Sequence, residues 1–381
     1  MHVLSVIDSL APGGAESSLL AVAPKLVDRG IELRVAVLQE RDGLAPAMER
    51  AGVPVISIDG PGRRAAPLRR LRQHIRRERP DLVHTTLFEA DVLGRIAART
   101  AGVPVVSSVV TEAYGSAHAH EPGVSRERLL LAKWSDAATA HLARRLHAVS
   151  KRVAEVTSRN LHYPMNRIDV IPRGRDPVEL GVRSAGRRDA IRLRLGVDPH
   201  DRIVLAVARH EPAKGLDLLL AAVPQLLAHD RAIRVVVAGR TGNATEALHE
   251  MSSRLGLHDV VSFLGERADV PDLLCAADVL VAPSRREGFP GLLLEAMALE
   301  APIVATDLPQ VREVVGDDGA LLVDPTRTCD LAGAIERVLE SPDDMSALVG
   351  AARERFLAKF TIDGVADQTV SFYERAIGSP G

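Results

Sequence analysis

A chain of 381 residues with 46% hydrophobic and 26% charged side chains has length for two globular cores, which excludes a disordered, fibrous or single small-domain protein. Its two cysteines, Cys275 and Cys329, exclude a disulfide framework and point to a reducing cytoplasm, and no apolar run approaches the ~18 residues that span a bilayer. The net charge of −2 hides an asymmetry: residues 1–175 carry 26 Lys and Arg against 18 Asp and Glu, a net of +8, so the remainder carries −10.

The first run, His2–Ile7, is too short for a signal peptide and reads as a buried strand. The loop Ala11-Pro12-Gly13-Gly14-Ala15-Glu16 follows and opens a predicted helix over Ala15–Arg29. Its paired glycines let backbone N–H groups approach an anion or sugar closely. The spacing is not G-x-G-x-x-G, which disfavours a nicotinamide cofactor. Predicted strands Glu32–Leu38, Val53–Ile58, Leu82–Thr86 and Val103–Val110 alternate with predicted helices Leu44–Ala51, Leu68–Arg77 and Ala90–Ala101. Runs Leu146–Val149 and Ile168–Ile171 close this series. Within it, Arg63, Arg64, Arg69, Arg70, Arg72, Arg76, Arg77 and Arg79 surround Leu68, Leu71 and Ile75 at helical spacing. Such a basic amphipathic helix is either a solvated face or a peripheral contact with an anionic membrane through residues 63–79. Nothing supports nucleic acid as a partner: there is no aromatic interleaving and no binding motif.

After a polar, Arg-rich stretch around Pro177–Arg188 the pattern starts afresh. Predicted strands Ile203–Ala208, Ile233–Ala238, Val260–Leu264, Val279–Ala282, Ile303–Ala305 and Gly319–Val323 are each separated by a helix. Two such series imply an α/β protein with two doubly wound parallel sheets, and a ligand beyond the carboxyl ends of the strands in the cleft between domains. A last helical segment, Phe360–Ile377, carries Phe372 and Tyr373.

The chemistry concentrates in the second series. Residues 283–298 read P-S-R-R-E-G-F-P-G-L-L-L-E-A-M-A, with Glu287 and Glu295 eight positions apart. Gly288, Pro290 and Gly291 suit a tight turn into a helix, and Leu292–Leu299 reads as mostly buried. The helix start is an anion site, and Glu295 sits inside an apolar helix, where an unpaired carboxylate is costly. Carboxylates on both sides of such a site suit a ligand with a phosphate in the middle and hydroxyls at each end, the layout of a nucleotide sugar. Upstream, Arg209 ends a strand and Lys214 precedes the helix that begins at Gly215, so two cations there could neutralise a leaving diphosphate in place of a metal ion. Only five of the 48 basic residues are lysines, which singles out Lys214.

The E-G-F-P-G-L-L-L-E-A-M-A stretch resembles the E-x7-E signature of family 4 retaining glycosyltransferases, and R-x4-K-G matches their pattern at Arg209 to Gly215. The resemblance implies the GT-B fold: two facing Rossmann-like domains, 1–178 for the acceptor and 179–358 for the nucleotide sugar, with a terminal helix in 359–381 crossing back to the first. It implies that Glu287 contacts the sugar near the reacting carbon, with Lys214 and Arg209 on the donor phosphates and Glu295 on the ribose. Gly13 and Gly14, Gly288 to Leu293 (through Phe289, Pro290, Gly291 and Leu292), and the base-side loop with Gly265 and Arg267 complete the implied donor contacts. The donor is then a UDP- or GDP-linked hexose and the acceptor a carbohydrate or lipid-linked hydroxyl. The expected setting is cytoplasmic polysaccharide, glycolipid or glycoconjugate assembly, at the inner face of the plasma membrane if residues 63–79 lean on it, with no cofactor and no metal.

The first domain departs from the family pattern. Many members of that family carry a histidine after the strand that here leads into Thr111-Glu112-Ala113-Tyr114-Gly115, and the usual V-I-P-N-G-x-D has Arg173 in place of the amide. His84, Glu89, Thr111, Glu112 and Arg173 are the acceptor-side candidates. His118 and His120 lie in a loop without positioned carboxylates and read as acceptor loop rather than metal ligands. Two other classes share the fold: a nucleotide-sugar 2-epimerase, disfavoured by the R-x4-K with E-x7-E pairing, and a catalytically silent nucleotide-sugar-binding partner.

Overall fold

The computed structural model describes residues 1–41, 43–60, 66–112, 114, 125–324, 327–341 and 344–378. The chain divides into two compact units, Met1–Gly174 with Ile362–Gly381, and Arg175–Thr361. Both alternating series expected from the sequence form parallel sheets. In the first unit β1 (His2–Ile7), β2 (Glu32–Val37), β3 (Val55–Ser57), β4 (Leu82–Thr86), β5 (Val105–Val109), β6 (Arg145–Ala148) and β7 (Ile168–Val170) lie in the order β3-β2-β1-β4-β5-β6-β7. In the second, β8 (Arg202–Val207), β9 (Ile233–Ala238), β10 (Val261–Gly265), β11 (Val279–Ala282), β12 (Ile303–Thr306) and β13 (Leu321–Val323) lie in the order β10-β9-β8-β11-β12-β13.

Parallel strands are covered on both faces, so their sequences read as continuous apolar runs rather than alternating ones. On one face of the first sheet Val3, Ile7 and Val35 pack with Leu26, Val365 and Phe372; on the other, Leu4, Val6 and Val83 pack with Leu71, Ile75 and Ala97. The order of each sheet reverses once, between β1 and β4 and between β8 and β11. Loops leaving the carboxyl ends of strands at such a point diverge and open a crevice. The Gly13-Gly14 loop follows β1, the Arg209 to Gly215 stretch follows β8 and the Glu287 to Glu295 stretch follows β11.

Several helices fall outside the periodic reading, Ser346–Lys359 among them. Arg126–Ala140 follows the acceptor-loop region, and Ala185–Leu195 occupies the Arg-rich stretch. The latter begins at Ser184, whose hydroxyl accepts from the Arg187 N–H, the usual N-cap arrangement. Arg188 and Arg192 donate from it to the Ala276 carbonyl, and Arg183, just before it, donates to those of Leu274 and Ala277, satisfying the carboxyl end of helix Val270–Ala276. A stretch that looks like solvated linker in sequence is a helix because its charges have backbone partners. The basic helix is present as Ala66–Glu78; Arg63 and Arg64 lie outside the described residues.

Polar groups thread the interior of the first unit. Arg95, fully buried, donates to Ser107 and to Asp136 (2.6 Å) and lies 3.5 Å from Asp91. Asp136 in turn receives the Tyr114 hydroxyl at 3.1 Å, and Thr85 donates to Asp91. Burial pushes the Asp91 carboxyl up to about 7, against the pull of Arg95. A second chain runs Tyr373–His84–Ser108–His147 to the Ile171 carbonyl, each link 2.7 to 2.8 Å. A carbonyl only accepts, so His147 donates from Nε2 and accepts from Ser108 at Nδ1. Ser108 then accepts from His84 Nε2, and His84 Nδ1 accepts from the Tyr373 hydroxyl. The chain ties helix Ile362–Gly378 to three strands of its own unit.

That polarity requires both rings to be neutral, and burial pushes His84 down to about 3 and His147 down as well. The unfolded state therefore binds the extra proton first, so stability falls as pH drops below about 6.5, by about 1.4 kcal/mol per unit for one histidine. Asp91 and Asp8, raised to about 7 and about 6, act with the opposite sign between about pH 4 and 7, so the test compares variants rather than absolute slopes. In urea unfolding, His84→Gln is expected to be less stable than wild type at pH 7 but to lose stability more slowly between pH 6 and 4. Tyr373→Phe, which leaves His84 Nδ1 unsatisfied, is expected to cost about 1–3 kcal/mol at pH 7.

Candidate active site

In the second unit β8 runs out into Arg209 and a short 3-10 turn, Pro212–Lys214, before helix Leu216–His229. Gly215 joins them in the left-handed region at φ +64°, and a Cβ there would lie 2.0 Å from the Pro283 carbonyl oxygen. The loop after β11 thus rests directly on the loop after β8, backbone against backbone. Arg285 reinforces the contact: its N–H donates to Ala213 O at 2.8 Å, and its guanidinium forks onto Asp217 with two 2.7 Å bonds.

This contact sets the central pair. Lys214 Nζ donates to Glu287 Oε1 at 2.6 Å, and Ser284 Oγ donates to the same oxygen at 2.7 Å. Both side chains are largely but not fully buried, 27% and 13% exposed, so the pair is desolvated on one side and open on the other. Thr306 Oγ1 holds the Ser284 carbonyl from the end of β12. Arg209 is half-exposed and lies 3.8 Å from Glu211.

The motif continues into helix Gly291–Ala298, with Pro290 as its N-cap residue. Leu293, Leu294, Ala296 and Met297 are buried in the unit's interior, so of Leu293 only the backbone remains for a ligand. Phe289 is buried edge-on to Phe360, ring centroids 6.2 Å apart. Glu295 is partly buried and paired: Arg175 Nε donates to its Oε1 at 2.8 Å. At the ends of β9 and β10 Gly239 donates its N–H to the Gly265 carbonyl at 2.8 Å, and a Cβ on Gly239 would strike the Ala208 carbonyl at 1.9 Å. Gly265 is left-handed at φ +67°, while Arg267 forks onto Asp269 at 2.8 and 2.6 Å.

In the first unit Gly13 caps helix Gly14–Asp28, and the Arg173 guanidinium stands 2.8 Å from where a Gly14 Cβ would be. His84 is in the interior, with both ring nitrogens engaged by Tyr373 and Ser108; it offers an acceptor substrate no nitrogen. Glu89 is exposed and receives Gln39 Nε2 at 2.7 Å; Thr111 is exposed, and Glu112 lies 3.4 Å from Arg152. Ala113, Gly115, His118 and His120 lie outside the described residues. Leu87, between β4 and helix Phe88–Ala101, holds φ +78°, a conformation that costs a non-glycine residue about 1–3 kcal/mol. Asp8 offsets it by accepting the Ala90 N–H at 2.6 Å, and burial pushes Asp8 up to about 6.

The sequence reading brought Lys214 and Glu287 to one ligand but missed Ser284, Asp8 and Arg175. Ser284 sat inside the quoted motif without a distinguishing mark. Nothing local to Arg175 signals a partner 120 residues away. No helix among the described residues is long and apolar enough to cross a membrane.

Residues 187–355 match the family described as glycosyl transferases group 1, and residues 12–179 match glycosyltransferase family 4. A D-inositol 3-phosphate glycosyltransferase of Rhodococcus opacus is 31% identical, the alignment covering 93% of this chain and 85% of the relative. An alpha-D-kanosaminyltransferase of Streptomyces kanamyceticus is 27% identical over 99% of this chain and all of its own. The fold is similar to that of Anabaena HepE, solved with UDP-glucose, at a TM-score of 0.86 and 24% identity over 98% of this chain and 100% of the other. It is also similar to WaaG, a glycosyltransferase involved in lipopolysaccharide biosynthesis, at 0.75 and 18% over 99% and 100%. These structures share the GT-B fold.

The Gly215–Pro283 approach makes a sharp expectation. Gly215→Ala introduces both a left-handed penalty of about 1–2 kcal/mol and a Cβ with no room against a carbonyl, so the two loops must part. Denaturant unfolding should show a loss of at least that size. Gly256→Ala, left-handed with open space around it, should show the backbone penalty alone.

Proposed function

Since the chain belongs to the group 1, family 4 glycosyltransferases, we propose that it moves a hexosyl group from a UDP- or GDP-linked sugar to an acceptor hydroxyl with retention at the anomeric carbon and without a metal ion. The observation that carries this reading is the Lys214–Glu287 pair, a cation and a carboxylate bonded at 2.6 Å at the switch point of the second sheet.

In this reading the anomeric carbon's bond to the donor phosphate oxygen breaks while a bond to the acceptor oxygen forms on the same face. The acceptor's proton passes to the departing phosphate oxygen, which keeps the electron pair of the broken bond. Lys214 and Arg209 meet the charge that develops there, so they act more strongly on the transition state than on the bound donor. Glu287, held by Lys214 and Ser284, receives sugar hydroxyls with its remaining oxygen and sets the angle of the sugar. The helix start at Gly291 contributes its N–H groups and dipole to the diphosphate. Glu295 receives the ribose hydroxyls. The name of the Rhodococcus opacus relative, a D-inositol 3-phosphate glycosyltransferase, favours a small phosphorylated polyol as acceptor.

The test is turnover. Incubated with UDP- and GDP-sugars and candidate polyols, the wild type should release nucleoside diphosphate, give a product whose anomeric configuration by NMR matches the donor, and keep its rate in EDTA. Lys214→Ala should lower kcat/KM by about 10²–10³-fold, the scale of removing one preorganised charge-stabilising donor. Glu287→Gln, which keeps size and polarity, should lower kcat more than donor affinity. A protein that binds a nucleotide sugar but turns over none, or that inverts the configuration, overturns the reading.

A further inference from the structure

Arg175 is the first residue of the second unit, and it touches both the last residues of that unit and helix Gly291–Ala298. Its backbone N–H donates to Phe360 O at 3.0 Å, and its strand-like bridge pairs it with Thr361, the last residue of the same unit. Phe360 carries the ring against which Phe289 packs. The Arg175 side chain reaches Glu295 at 2.8 Å and passes over the helix start, 2.9 Å from where a Gly291 Cβ would be. Glycine at 291 is therefore what lets the guanidinium lie there. A cation beside the positive end of a helix is unfavourable by itself. Glu295, one turn further on, offsets it, so the guanidinium is placed by the carboxylate and the carboxylate by the guanidinium.

We propose that Arg175 is a positioning residue for the nucleotide. It takes up Oε1 of Glu295, locks that side chain against rotation, and turns Oε2 toward the hydroxyls of the ribose. This rests on the donor reading above, in which Glu295 holds the ribose. A carboxylate on a flexible side chain loses much of a bidentate hydroxyl contact to entropy; a guanidinium anchored through its own backbone removes that loss before the ligand arrives. Arg175 thereby sets how strongly the site distinguishes a ribonucleotide from its 2′-deoxy counterpart. Lysine at this place supplies charge without the planar fork and should fix the carboxylate only in part.

The experiment measures dissociation constants by calorimetry for UDP and GDP and for their 2′-deoxy forms, taking the tighter base, on wild type, Glu295→Gln, Arg175→Leu and Arg175→Lys. Melting curves confirm that each variant is folded. The wild type should prefer the ribonucleotide by about tenfold or more, the scale of a hydrogen bond to a charged group. Glu295→Gln should lose most of that ratio. Arg175→Leu should lose it too although the carboxylate remains, and Arg175→Lys should fall between; a purely structural role would weaken both nucleotides equally and keep the ratio. If Glu295→Gln loses the ratio while Arg175→Leu keeps it, the positioning role is overturned and the ribose role of Glu295 stands. Tighter binding by Arg175→Leu also overturns it, since Arg175 would then be an occupant of the site. If Glu295→Gln leaves the ratio intact, or if the wild type binds no nucleoside diphosphate, the donor reading falls and the positioning role falls with it.

Discussion

Lys214 and Glu287 are 73 residues apart in the chain and 2.6 Å apart in space, and the rest of the candidate site depends on what brings them together. Their loops leave the carboxyl ends of β8 and β11, strands that are neighbours only because the order of the sheet reverses between them. Adjacency alone would leave the two loops several ångströms apart. Gly215 closes the gap, because without a Cβ its backbone meets the Pro283 carbonyl directly. Arg285 and Asp217 then fasten the rim from the solvent side, where a bidentate pair adds geometry more than energy. Three kinds of contact (backbone, rim and central pair) converge on one short segment, so the carboxylate of Glu287 is held before any ligand arrives.

The first unit uses polar groups differently. Its Arg95 cluster and its His84 chain sit under the sheet's carboxyl end, where apolar packing alone would leave loops and the terminal helix free to slide. Each buried donor in the histidine chain has one acceptor, and the fixed direction of the chain allows one arrangement of tautomers. Burying these groups has a thermodynamic cost, visible in the depressed basicity of His84 and the weakened acidity of Asp91. In return Tyr114 is anchored through Asp136 at the loop after β5, and helix Ile362–Gly378 is tied to β4, β5 and β6.

His84 illustrates how a residue changes meaning between sequence and structure. At the end of an apolar strand, a histidine has the same local signature whether it faces a ligand or a core. Its neighbours in sequence are the same in both cases. What decides is Tyr373, 289 residues away, and Ser108 on the next strand. The same holds for Arg188 and Arg192 in helix Ala185–Leu195, which both donate to the Ala276 carbonyl. Charge-rich composition cannot distinguish a solvated linker from a helix whose guanidiniums cap another helix.

The sequence by itself determined the alternating elements, the two parallel sheets and the family resemblance carried by its short motifs. Those properties are local: strand and helix periods, turn glycines and short spacings such as R-x4-K-G and E-x7-E act over a few residues. Only the tertiary structure decided that Glu287 is bonded to Lys214 and Ser284, that Glu295 is bonded to Arg175, and that His84 is spent in the interior. Those are pairings between groups far apart in the chain, and a side chain's chemistry is set by the partner and the solvent it meets, which no local pattern encodes. Glu295 shows both halves. Its place in the motif was legible from eight residues; the guanidinium that holds its carboxylate was not, because it comes from the other end of the unit.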